Sequence, residues 1–197
     1  MNTRTRTLAV ILPLTMALAV TGCAGAADTS RDIPGMHHES ASSASPVDAK
    51  MADQMFVTMM IPHHEQAIEM AEIVLAKDGV DPRVVAIAER IRAAQGPEIE
   101  LMAGWLDDWG VERAPSGMDH GDGMMSEADM TALSDADGTT AGRLFLEQMV
   151  EHHRGAVEMA EAALESAEDP DVRALAQQVI EDQNAEITEM QELAATL

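Results

Sequence analysis

The residues of this chain best equipped for chemistry are histidines and methionines that occur together. All seven histidines fall in four places, His37-His38, His63-His64, His120 and His152-His153. Each place has a methionine within four residues: Met36, Met60, Met118 and Met149. Imidazole suits copper, zinc and iron, and thioether is a soft ligand that selects Cu(I). In an oxidising compartment methionine is a safer soft ligand than cysteine, which would oxidise or cross-link. The same residue types also have a plainer use, because methionine at helical spacing fills cores and a lone buried histidine is usually hydrogen-bonded structure.

Spacing favours the metal reading. On a helix, residues three and four apart share a face. Met60, His63 and Met70 thus lie in one stripe with Phe56, Ala67 and Val74; Met149, His152 and Met159 lie in the equivalent stripe with Phe145, Ala156 and Ala163. His64 and His153 point about 100° further round, toward the neighbouring stripe. Two further segments carry Val84, Ala88, Ile91, Gln95, Glu98, Met102 and Val172, Ala176, Val179, Gln183, Glu186, Met190 at core spacing. A Gln and a Glu in each otherwise apolar seam are costly to bury without partners. Glu98 and Glu186 therefore join the candidate ligands. Residues 117–125, GMDHGDGMM, add Met118, His120, Met124 and Met125 as weaker, accessory donors, as do Met36, His37 and His38.

The elements that position these residues are written twice. Residues 56–72 (FVTMMIPHHEQAIEMAE) and 145–161 (FLEQMVEHHRGAVEMAE) agree at nine of 17 positions, and residues 81–102 and 169–190 agree at nine more. Each copy reads as a helical hairpin. Asp81-Pro82 and Asp169-Pro170 start second helices, with Asp as N-cap and Pro at the first helical position. Asp78-Gly79 ends the first helix of copy one, and Gly110 ends its partner. Ser126 to Leu133 reads as a short connecting helix. Pro62 and Pro97 fall inside helices and should kink them in the first copy only. Counting from the hairpin turns puts His63 level with Gln95 and Met60 level with Glu98, so the two copies should bring two polar layers together. The expected architecture is all-α: a four-helix bundle of two repeated hairpins over residues 47–197, with repeats at about 47–110 and 139–197.

Composition agrees. There is no Tyr, there are two Phe, and aromatics are 2% of the chain, which disfavours an all-β fold. A formal net charge of −23 attracts cations and repels nucleic acid. Residues 1–22 read as a signal peptide, with Arg4 and Arg6 before an apolar run too short to span a membrane. That run ends in Val20-Thr21-Gly22-Cys23, which resembles a lipobox with Cys23 as the lipidated residue. Cys23 is the only cysteine, so no intramolecular disulfide forms. Residues 23–46 read as a flexible tether. The expectation is a protein exported across the cytoplasmic membrane and anchored on its outer face, touching the membrane through the lipid alone.

Over about residues 51–195 the chain resembles the domain-of-unknown-function family three hundred and five, which includes CopM-like periplasmic copper-binding proteins. The resemblance lies in MMIPHHEQAIEMAE (59–72), MVEHHRGAVEMAE (149–161) and the Gln-x-x-Glu-Ile runs at 95–99 and 183–187. It implies a ferritin-like four-helix bundle and copper binding through Met60, His63, His64, Met70, Met149, His152, His153 and Met159. Members often carry an acid seven residues before the Met-x-x-His core. Asp53 fits that place, whereas Gly142 stands there in copy two.

The function expected is copper binding, as Cu(I), Cu(II) or both, for sequestration or delivery to a client protein, with no catalytic step; another divalent metal would suit some of the same donors. Cu(II) should rest mainly on the histidines and Cu(I) largely on the methionines. Two alternatives stand beside it. A di-iron or di-manganese oxidase needs four carboxylates and two Glu-x-x-His motifs, whereas the seams supply two glutamates. A metal-free structural or interaction bundle would leave the buried polar layer without a purpose.

Overall fold

The computed structural model describes residues 46–113 and 123–197. Five helices account for nearly all of them: α1 (Pro46–Leu75), α2 (Pro82–Trp109), α3 (Glu127–Asp135), α4 (Gly138–Ser166) and α5 (Pro170–Ala194). Among the described residues there is no strand.

The helix boundaries follow local chemistry. Asp81 and Asp169 each cap a helix that opens with proline, their carboxylates accepting from Arg83 N and from Asp171 N and Val172 N. Gly110 closes α2 in the left-handed region at φ 68°. Ser126 and Asp129 form a reciprocal capping box at the start of α3. Pro62 and Pro97 lie within α1 and α2, which run on through them.

α1 packs antiparallel on α2, and α4 on α5. The hairpins meet through α1 and α4, also antiparallel: Asp53 on α1 reaches the α4–α5 turn, while Gly138 at the start of α4 abuts the α1–α2 turn. The order is therefore up, down, down, up, with α2 ending and α4 beginning at opposite ends of the bundle, as one long crossover requires. One long crossover of this kind is the ferritin-like arrangement. α3 lies on that crossover against α1 and α4. Lys77 holds it there, its ammonium donating to the carbonyls of Ser134 (2.6 Å) and Ala136 (2.9 Å).

Two apolar clusters fill the interior, one on either side of the histidines. The first gathers Met70, Val84, Ile91, Phe145, Met149 and Met190, and the second Phe56, Met60, Met102, Leu106, Val172 and Val179. The expected seam positions are buried, except that Glu98, Met159 and Glu186 are partly exposed.

Candidate metal centre

His63 and His152 meet on the contact between α1 and α4. Their ring centroids lie 3.8 Å apart with planes tilted by 41°. His64 and His153, a hundred degrees round their helices, turn to the partner helix of the same hairpin. There His64 Nε2 lies 2.8 Å from Glu98 Oε2, and His153 Nε2 lies 2.7 Å from Glu186 Oε2. All four imidazoles are buried, and so are Gln95 and Gln183. The two polar layers expected from the sequence form one layer across the middle of the bundle.

The glutamate partnership differs from residue counting, which set Glu98 level with Met60. Helical side chains lean toward their own N-terminus. In an antiparallel hairpin His64 and Glu98 therefore lean toward each other, closing a gap of about one turn.

Six imidazole nitrogens in this layer have no hydrogen-bond partner: both of His63, both of His152, and Nδ1 of His64 and His153. The side-chain oxygens of Gln95 and Gln183 share that condition. Buried polar atoms are normally paired, and each one left unpaired costs about 1–3 kcal/mol. An ionised glutamate only accepts, so Nε2 of His64 and His153 donates and Nδ1 keeps its lone pair. A carboxylate–imidazole pair with the second nitrogen free is the support found around metal-ligating histidines.

Electrostatics keep the central rings in the ligating form. Burial pushes the His63 pKa down to about 3, with His64 and His153 adding repulsion against a proton. Burial likewise holds His152 well below its ordinary value, reinforced by His63, His153 and His64. Neutral imidazole is the form that coordinates. Among the described residues no three His, Cys, Asp or Glu side chains are already arranged around an ion position. An ion held between them would require the tilted rings of His63 and His152 to turn so that their lone pairs converge.

Met60 and Met149 are fully buried one turn before the histidine pairs, in opposite apolar clusters. Met70 and Met159 stand six residues beyond His64 and His153, about 9 Å along the axis. Met70 is buried in the first cluster, and Met159 packs on the second and lines a groove with Met55 and Met59. Met55 and Met59 are not among the donors expected from the sequence, although their spacing of four, continued by Met51, marks one stripe on α1.

Asp53 has another task than ligation: its carboxylate accepts from Glu168 N at 3.1 Å and from Asp169 N at 3.3 Å. It closes the α4–α5 turn. At the matching place, a Cβ on Gly142 would come into ordinary van der Waals contact with Val80 and Val84 beside the other turn. Met125 is less loose than an accessory loop residue should be. Gln66 donates to its carbonyl at 2.9 Å and accepts from its N–H at 2.7 Å, and its side chain packs on the first cluster. Met124 beside it is half-buried. Met36, His37, His38, Met118, His120 and Cys23 lie outside the described residues, as do the signal peptide and tether.

A bundle of two helical hairpins joined across a shared layer of paired histidines defines the class. Residues 53–194 match the family model "domain of unknown function (DUF305)", and the chain belongs to that family. Two DUF305 structures are similar. One, from Streptomyces coelicolor and provisionally described as secreted, is 35% identical with a TM-score of 0.68, covering 74% of this chain and 91% of that one. The other, a fragment from Deinococcus radiodurans, is 32% identical with a TM-score of 0.68, covering 74% and 97%. CopM in its Cu(I)-bound form is 33% identical with a TM-score of 0.62, covering 73% of this chain and 96% of that one. CopM has also been solved with Cu(II) and with silver. No curated protein matches. No helix among the described residues is long and apolar enough to cross a membrane.

Proposed function

We propose that this protein is an extracytoplasmic copper-binding lipoprotein that sequesters copper or hands it to a client protein, without a catalytic step. The observation that supports it most is the set of six unpartnered, buried imidazole nitrogens on His63, His64, His152 and His153. Met60 and Met149 flank them as thioether donors, and Glu98 and Glu186 orient the outer rings. The metal-bound states of CopM favour copper over other cations with an affinity for imidazole.

The depth of the layer favours the monovalent ion. Burying a +1 charge among neutral nitrogen and sulfur donors costs far less desolvation than burying +2. Cu(II) prefers a tetragonal shell of nitrogen and oxygen. The histidines, expected from sequence to hold mainly Cu(II), would thereby also serve Cu(I), shared with methionine. Glu98 and Glu186 are the two carboxylates at the layer and both are engaged by imidazole, which leaves little for a di-metal carboxylate centre.

Anchoring rests on the lipobox-like run ending at Cys23. One acyl chain gives only marginal attachment, so a diacylated Cys23 is the form that would stay on the membrane. Cu(I) titration against a competing chelator tests the binding. His63→Ala and His152→Ala should each remove a similar share of affinity while leaving the helical spectrum intact. Parent-like binding by both variants would return the layer to a structural role. Cys23→Ser should release the protein from membranes or leave it unprocessed, and a mature N-terminus that starts elsewhere and carries no lipid would refute the anchor.

A further inference from the structure

The histidine layer is sealed on one side and opened on the other. Across α1 and α4 residues 123–125 cover it: Gln66 grips Met125, and Gly123 lies so close to α4 that a Cβ there would fall 2.7 Å from the Gly155 Cα. On the opposite face α2 and α5 are not among the closely packed helix pairs. Between them runs a groove of about 250 Å³.

Its lining is selective. Glu98 and Glu186 lie in the groove wall with side chains 15% and 19% exposed, while the His64 and His153 rings that they touch are fully buried. Gln95 and Gln183, 3% and 4% exposed, line the same groove with unpartnered side-chain oxygens. Asp182 and Glu189 stand on the rim, where Glu189 pairs with Arg90. Two small residues, Ala94 and Ala185, line it from α2 and α5.

We infer that the α2–α5 groove is the port by which a soft monovalent cation reaches the histidine layer, with the oxygens of Glu98, Glu186, Gln95 and Gln183 receiving it on the way. This rests on the reading that the layer is the ion's destination. The acidic rim raises the local concentration of cations, and the wall oxygens replace water as the ion is stripped of it. Both glutamates are partly exposed on one side and touch imidazole on the other, and Glu98 Oε1 also accepts from Gln178 Nε2 of α5 at 3.3 Å, so the path from groove to ligand passes them.

The test is stopped-flow transfer of Cu(I) from a coloured chelator to the full-length protein, read beside the equilibrium affinity. Ala94→Trp and Ala185→Trp, both at exposed positions, should overhang the groove and slow loading by about tenfold or more, as closing a gate does, with affinity essentially unchanged. Ala93→Trp, one position away and outside the groove, should load like the parent. Asp182→Lys supplies a second arm that needs no bulk: slower uptake with a weaker dependence on salt. Parent-like loading by both tryptophan variants would place the port elsewhere. A loss of affinity as large as the loss of rate would make the groove part of the binding site and also overturn the proposal. If the parent itself takes up no Cu(I), the functional reading fails, and that outcome is distinct from either.

Discussion

The imidazole of His63 lies 3.8 Å from that of His152, ring against ring, at the contact where the two halves of a duplicated chain meet. Neither ring has a hydrogen bond, and both are buried between apolar clusters. Such a pair is tolerable only while both rings are neutral.

That condition makes the metal-free protein acid-sensitive. His63 binds its proton at about 3 when folded, against an ordinary value of 6.5. The folded pKa is depressed, so the unfolded chain takes the proton first. The contribution to stability is whole above about pH 6.5 and is lost as pH falls toward 3. Between about pH 7.5 and 5.5 His63 should remove about 1 kcal/mol from the unfolding free energy, and His152, also held below its ordinary value by burial, should act in the same direction. Urea titrations across that range check it, and His63→Leu should flatten part of the slope.

Glu98 and Glu186 should tune affinity without setting stoichiometry. Replacing either by Gln weakens the acceptor for Nε2 and loosens the tautomer that leaves Nδ1 free. Supporting carboxylates of this kind are worth about 10- to 100-fold in metal affinity. Glu98→Gln and Glu186→Gln should therefore bind the same number of Cu(I) ions as the parent, each more weakly. Equilibrium competition against a chelator measures both quantities.

Asp53 should prove structural. Asp53→Ala strips the acceptor from two backbone N–H groups at the α4–α5 turn. The expected cost is about 1–2 kcal/mol of stability, the usual worth of a lost cap. Copper affinity should stay at the parent value, and a fall in affinity with unchanged stability would make Asp53 a ligand instead.

Gly138 tests how the hairpins dock. A Cβ at this position would come within 1.9 Å of the Asp78 carbonyl oxygen. Backbone cannot yield as a flexible side chain would, so Gly138→Ala should cost about 1–3 kcal/mol. Thermal unfolding followed by circular dichroism measures it.

Much of this was legible in the sequence because it rests on local signals. Asp81-Pro82 and Asp169-Pro170 mark helix starts, and α2 and α5 begin at Pro82 and Pro170. The seam from Val84 to Met102 faces inward as spacing requires, and the matched HH blocks place the layer. What was not legible depends on direction and on backbone. Counting residues gave levels along the hairpin but not the lean of side chains, so Glu98 was set beside Met60 rather than bonded to His64. The approach of Gly123 to Gly155 and the grip of Gln66 on Met125 join segments distant in sequence, partly through main-chain atoms that leave no residue pattern. Asp53 looked like a candidate acid because its turn partners, Glu168 and Asp169, lie in the other hairpin.

X-ray absorption at the copper edge of the Cu(I)-loaded protein tests the central claim most directly. The account predicts a nitrogen shell with the outer scattering pattern of imidazole, which should disappear in a His63→Ala, His152→Ala double variant. A shell of sulfur alone or oxygen alone, unchanged by those substitutions, would contradict it.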